Sequence, residues 1–94
     1  LDPGFGFAKT VEQNWQLLRE MAVLQEFGKE ILVGLSRKSF LFRPLGITPA
    51  DALPATQVAD FIALQNGADI LRVHDVAEAV RTVKLYRLFN QASA

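Results

Sequence analysis

The chain has 94 residues, half of them hydrophobic and 21% charged, enough apolar content to bury a core and outside the composition of disordered chains. Ten basic residues balance ten acidic ones, which excludes a global pull toward nucleic acid or an anionic membrane and leaves anion binding to local placement. The absence of cysteine excludes disulfides and thiolate chemistry, and no apolar run approaches the roughly 20 residues of a membrane-spanning helix.

The chain opens on LDPGFGF, already inside an apolar-and-turn pattern and without a methionine, and reads as a piece of something longer. In TVEQNWQLLREMAVLQEF, residues 10–27, Val11, Trp15, Leu18, Met21 and Ala22 recur at helical spacing. Thr10 followed three residues on by Gln13 predicts a capping box, and Gly28 suits the position just past the helix end. ILVGL, residues 31–35, is an apolar run of strand length without polar alternation, the pattern of a strand covered on both faces. A short helix is expected from Lys38 to Leu45, ended by Pro44 and Gly46. Thr48 and Pro49 form a helix-start signal, and a longer helix is expected over about Ala55 to Asn66, closed by Gly67. ADILRV, residues 68–73, reads as the next strand. Asp75 with Glu78 predicts a second capping box, opening a last helix through Val76, Ala79, Val80, Val83 and Leu88.

Strands alternating with helices pair in parallel through crossover connections, so the fold class is α/β. A closed (β/α)8 barrel needs about 250 residues and eight units. Three units at most are present, which leaves a small open sheet or the last part of a barrel.

In such folds ligands bind beyond the carboxyl ends of the strands. Asp2 follows the first strand end, Ser36, Arg37 and Lys38 follow the second, and Arg72 and His74 close the third. Each has a plainer use. Asp2 could cap the turn made with Pro3 and Gly4, His74 alone is an ordinary surface hydrogen bonder, and Arg72 could reach solvent from its apolar run. Arg37 and Lys38, however, open a helix where cations oppose the macrodipole at about 0.3–1 kcal/mol each, a poor place for a merely solvated pair. Taken together, two or three cations, an imidazole and helix N-terminal amides make a receptor for a phosphate-rich group. Asp2 adds an acceptor for a ring rich in N–H groups. Gly4 and Gly6 let a loop approach a ligand, and Phe5 and Phe7 offer flat apolar surfaces, with loop packing as their plainer alternative.

LDPGFGFAK, VGLSRKSF and ILRVHDV, in that order and roughly at that spacing, resemble three blocks of the dihydropteroate synthase family, and the likeness covers essentially the whole chain. The resemblance implies that residues 1–94 are the C-terminal portion of a pterin-binding TIM (β/α)8 barrel: its last three βα units, parallel strands with crossover helices, the barrel incomplete. It implies a transferase of folate biosynthesis, a sulfonamide target, that condenses 6-hydroxymethyl-7,8-dihydropterin diphosphate with 4-aminobenzoate to give 7,8-dihydropteroate and diphosphate. On the matching positions, Asp2 and Lys38 bind the pterin, while Arg72 packs on it and helps hold the anion. Ser36 and His74 lie near the diphosphate or the aminobenzoate. Lys38, Arg72 and His74 form the catalytic set. Phe5, Gly6 and Phe7 belong to the substrate loop, Phe7 nearer the aminobenzoate, and Arg37 counts among the substrate-binding residues.

Magnesium (Mg2+) is the implied cofactor, with its ligands expected in an N-terminal part and none in this chain, which on its own is expected not to turn over. The complete protein is implied to be a cytoplasmic homodimer, with pterin diphosphate and 4-aminobenzoate as its ligands and neither nucleic acid nor membrane as a partner. Ala8 and Ala55 depart from the family pattern, which commonly has glycine there. Two alternatives stand beside this reading. A pterin-dependent methyltransferase shares the barrel and the pterin aspartate, but its family resembles GLSN rather than GLSRK at the second strand end, having no diphosphate to hold. A non-catalytic pterin-binding fragment would self-associate through unpaired sheet edges and helix faces, Tyr86 and Phe89 included.

Overall fold

The computed structural model describes residues 1–7 and 9–92; Ala8, one of the two departures from the family pattern, lies outside them. Helix α1, Val11–Glu20, starts as its local sequence dictates. The backbone N–H of Gln13 donates to the Thr10 hydroxyl at 3.1 Å and that of Thr10 donates to the Gln13 side chain at 2.9 Å, completing the capping box. Beyond Glu20 the coil tightens into a 3-10 stretch, Met21–Phe27, which stops at Gly28 in left-handed backbone. The buried stripe runs through Asn14, Leu18 and Met21, whereas Trp15 is 38% exposed and donates its indole N–H to the Phe40 carbonyl.

Strands β1, Leu32–Val33, and β2, Ile70–Leu71, pair in parallel with Leu32 opposite Ile70 and Val33 opposite Leu71. The regular pairing is shorter than the apolar runs 31–35 and 68–73, but backbone bonds extend it. Asp69 and Ile70 donate to the Ile31 carbonyl, and Arg72 donates to that of Val33. On the other edge of β1, Leu32 donates to the Leu1 carbonyl and Leu1 donates to that of Glu30, so the start of the chain lies beside β1 as a further strand-like segment. From Ile31 to Ser36 only Leu32 is not fully buried, as expected of a central strand covered on both sides. Ile70 on the outer strand is 43% exposed, and the sheet is open, an α/β arrangement of parallel strand–helix units like part of a TIM barrel.

After β1 come a single-turn helix α2, Ser39–Phe42, and 3-10 turns at Arg43–Leu45 and Pro49–Asp51. Helix α3, Leu53–Gln65, starts two residues earlier than the expected Ala55, because Pro54 in its first turn has no amide to satisfy. Helix α4, Val76–Gln91, follows β2. Its expected capping box does not form. Asp75 occupies the N-cap position, but its carboxylate bonds no helix amide and is taken by the guanidinium of Arg37. No helix among the described residues is long and apolar enough to cross a membrane.

The core gathers Phe5, Leu18, Met21, Ile31, Val33, Leu35, Phe40 and Leu41, with Ala59 and Ala63 of α3 in the same cluster. Phe5 stacks on Phe40 with ring centroids 5.9 Å apart, and Trp15 meets Phe40 edge-on at 5.3 Å. Burying a side chain such as Phe5 or Phe40 stabilises by about 1.5–3 kcal/mol, so the loop carrying Phe5 is anchored rather than draped. Between α3 and α4, Phe61 packs edge-on against Tyr86 and Phe89, the local use of those rings.

One buried group works against this packing. Asp60 on α3 is 2% exposed, its Oδ1 has no hydrogen-bond partner, and burial pushes its pKa up to about 7. The folded carboxyl therefore stays protonated in a range where the unfolded one, near 3.8, ionises. Its contribution is fully present below the unfolded pKa and is lost as pH rises toward the folded one, at roughly 1.4 kcal/mol per pH unit. Asp60→Asn removes this titration. In urea unfolding, the stability of the variant relative to the unsubstituted chain is expected to climb between about pH 4 and about pH 7; a pH-independent difference would contradict the burial of the carboxyl.

Candidate functional site

Asp2, Ser36, Lys38, Arg72 and His74 come together at the three strand ends. Ser36, itself buried, accepts a hydrogen bond from the backbone N–H of His74 at 3.1 Å, tying the end of β1 to the end of β2. Asp2 serves two partners. Its Oδ1 accepts from the Gly4 N–H at 2.9 Å, the turn-capping use open to it from sequence, while Oδ2 lies 3.8 Å from Nη1 of Arg72. Both side chains of that pair are about half exposed, so the attraction contributes at most about 1 kcal/mol and leaves each group free to meet a ligand. The Arg72 guanidinium lies across Gly34, where a Cβ would fall 2.7 Å from Nη2.

Lys38 stands at the centre. Its Nζ donates to the Phe5 carbonyl at 2.7 Å and lies 5.8 Å from the centroid of the Phe7 ring. It is shared by two cavities. One, of about 240 Å³, is lined by Gly34, Ser36, Lys38, Arg72 and His74. The other, of about 310 Å³, is lined by Phe5, Gly6, Phe7, Lys38 and Ser39. Burial lowers the pKa of the Lys38 ammonium, and the charges of Arg72 and, more weakly, Lys9 lower it further against the opposing carboxylate of Asp2. A further concavity, about 530 Å³, lies elsewhere, along the exposed face of α1 between Glu12, Trp15, Gln16, Arg19 and Glu20; no strand-end residue lines it.

The loop of residues 4–7 is shaped by two glycines with φ of 77° and 86°, a backbone that side-chain-bearing residues rarely adopt. Its two rings part company. Phe5 is 1% exposed and offers the site its carbonyl, whereas Phe7 is 70% exposed. Two residues outside the sequence-derived set hold this loop. Asn14 accepts from the Gly6 N–H at 2.7 Å, and the Lys9 ammonium donates to the Gly4 carbonyl at 2.9 Å. Asn14 was detectable in principle, as a polar residue on the buried stripe four before Leu18.

Arg37 faces another way. It has left-handed backbone, φ 52°, and its Nε and Nη2 each donate to a carboxylate oxygen of Asp75 at 3.0 Å. Its Nη1 donates to the carbonyls of Pro49 and Ala50, and its backbone N–H to the hydroxyl of Thr56. Hydrogen bonding from Arg37 holds the Asp75 carboxyl below the usual carboxylate range. Arg37 lines neither cavity of the strand ends. Among the described residues no group of three His, Cys, Asp or Glu side chains could hold a metal ion. Of the two carboxylates at the strand ends, Asp75 is held by both donors of Arg37 and Asp2 stands beside cations rather than beside another carboxylate, a setting that does not fit a magnesium site.

The family model described as pterin binding enzyme matches residues 1–74. The chain is 41% identical over 85 residues to dihydropteroate synthase of Escherichia coli strain K12, a match covering 90% of this chain and 30% of that protein. The dihydropteroate synthase of Yersinia pestis solved with a pterine–sulfa conjugate superposes with a TM-score of 0.94 at 39% identity, covering 98% of this chain and 36% of that one. That of Xanthomonas albilineans, solved with 4-aminobenzoic acid, gives 0.93 at 38% identity, covering 98% and 34%. The chain thus spans about 30% or less of the length of the curated relatives it matches.

The contact between Gly34 and Arg72 yields a test of the site's geometry. The crowding atoms are the far end of a side chain that is 58% exposed, and Gly34 is not in left-handed backbone. Gly34→Ala is therefore expected to cost little stability, about 1 kcal/mol or less, while displacing the guanidinium. The Nε–H resonance of Arg72 should shift in the folded variant, and an unchanged resonance would show that the guanidinium does not rest on Gly34.

Proposed function

The chain belongs to the pterin binding enzyme family, and from that premise we propose that it is the part of a dihydropteroate synthase that holds the pterin and its departing diphosphate. The observation that carries this reading is the meeting of an ammonium and a guanidinium from two strand ends, Lys38 and Arg72, around adjoining cavities, with the Asp2 carboxylate of a third strand end, which lines neither cavity, 3.8 Å from Arg72. That relatives were solved with a pterine–sulfa conjugate and with 4-aminobenzoic acid supports two ligand subsites, in keeping with two cavities that share Lys38.

In this reading Asp2 accepts hydrogen bonds from the guanidine-like edge of the pterin, and Lys38 donates to the ring's carbonyl and nitrogen acceptors. The bond between the pterin methylene carbon and the diphosphate oxygen breaks with its electron pair leaving on diphosphate. Arg72 and His74 bind that anion as its charge grows, which favours the transition state over the ground state. The amine of 4-aminobenzoate supplies its lone pair to the resulting pterin methylene cation and then gives up a proton, completing 7,8-dihydropteroate. No covalent attachment to the chain is required. Phe7 and the rest of the glycine loop border the aminobenzoate, the subsite for which sulfonamides would compete.

Magnesium is the cofactor this reading assigns to the whole protein, but no step above depends on it, since the residues present do not form its site. Residues 1–94 are read as part of one barrel domain of a cytoplasmic homodimer. Of the two cations in GLSRK, only Lys38 lines the cavities, so the contrast with methyltransferases rests on that residue.

Grafted in place of the matching residues of the Escherichia coli relative, the chain is expected to support dihydropteroate formation from both substrates. Lys38→Ala in that graft should weaken pterin binding by about a hundredfold, roughly 2.7 kcal/mol, with the circular dichroism spectrum unchanged. Near-normal pterin affinity by calorimetry would remove the assignment of Lys38.

A further inference from the structure

Among the described residues, Arg37 is the only one other than glycine with positive φ, a conformation strained for a residue bearing a Cβ. Such strain persists where the surroundings over-determine it. Here they do: the guanidinium grips both oxygens of Asp75 and the carbonyls of Pro49 and Ala50, while the backbone N–H bonds Thr56. The neighbours of this pair in sequence are the cavity residues. Ser36 precedes Arg37 and Lys38 follows it, while His74 precedes Asp75. The Ser36–His74 bond and the Arg37–Asp75 fork therefore join the same two strand ends, the first between cavity-lining residues and the second between residues that line neither cavity.

The geometry points to Arg37 and Asp75 as a positioning pair: their fork fixes the turn of residues 36–38, and so aims the Lys38 ammonium at the Phe5 carbonyl and into both cavities, without touching a ligand. The inference rests on the reading of those cavities as the ligand site, and it gives Arg37 a different role from the substrate contact its sequence position suggests. The two roles predict opposite results for Asp75→Asn. A guanidinium that binds the diphosphate would be released by that change and would bind at least as tightly. A guanidinium that positions Lys38 would lose its anchor, and binding would weaken.

Two measurements decide between them, one needing no ligand. The Lys38 ammonium is titrated by NMR in the full chain, in Asp75→Asn and in Arg37→Lys, which keeps the charge but removes the fork. Through space, loss of the Asp75 carboxylate could only lower a lysine pKa, whereas release of Lys38 from its crowded place beside Arg72 raises it. A rise in both variants supports the positioning role; no change or a fall overturns it. In the graft described above, each variant is expected to weaken pterin binding about tenfold, and the double variant no more than the weaker single one. Unchanged or tighter binding overturns the inference. Should the unsubstituted graft bind no pterin, the functional reading fails, and the titration still settles whether Arg37 positions Lys38.

Discussion

Backbone bonds from Asp69, Ile70 and Arg72 to the carbonyls of Ile31 and Val33 hold β2 against β1, and Leu32 reaches Leu1 on the opposite side. Because the segments run in one direction, their carboxyl ends emerge together, and residues 2, 36–38 and 72–74 are neighbours although up to 72 positions separate them in sequence. Register then decides which side chains meet. With Val33 opposite Leu71, Gly34 falls beneath Arg72 and Ser36 within reach of His74. A slip by one residue would turn every side chain of β2 to the other face and dissolve the cluster.

The cluster is electrostatically one-sided in a chain whose formal charges cancel. Lys38 has Arg72 and Lys9 as cationic neighbours and only Asp2 opposing them. That imbalance makes the partly buried Lys38 harder to keep charged, and a bound anion would relieve it. Arg37, the other cation at these strand ends, is paired with Asp75 and lines neither cavity, so it adds structure without adding to the charge the cavities present.

What could be read from the sequence divides along physical lines. The alternation of helix and strand, the capping box at Thr10 and the stops at Gly28 and Gly46 were legible because each is decided within a few residues. The placement of Asp2, Ser36, Lys38, Arg72 and His74 at strand ends needed only the parallel topology. The second capping box failed because a guanidinium 38 residues away outcompetes the helix amides for the Asp75 carboxylate, a choice no local pattern records. Phe5 and Phe7 look alike in LDPGFGF, yet one ring lies in the core and the other in solvent, since Gly6 between them reverses the chain. Asp60 gives no sign in sequence of its burial, because only the packing of α3 puts it out of reach of water.

Left-handed backbone at a single position also sets how this part of the chain can vary. Around the twist at Arg37, three consecutive residues take three directions: Ser36 bonds His74, the guanidinium of Arg37 reaches Asp75, Pro49 and Ala50, and the ammonium of Lys38 reaches the Phe5 carbonyl. Each direction depends on the position of its residue relative to that twist. An insertion or deletion between Ser36 and Ser39 would exchange which cation looks inward, so relatives that share this arrangement should keep the length of that segment fixed even where its residue types drift.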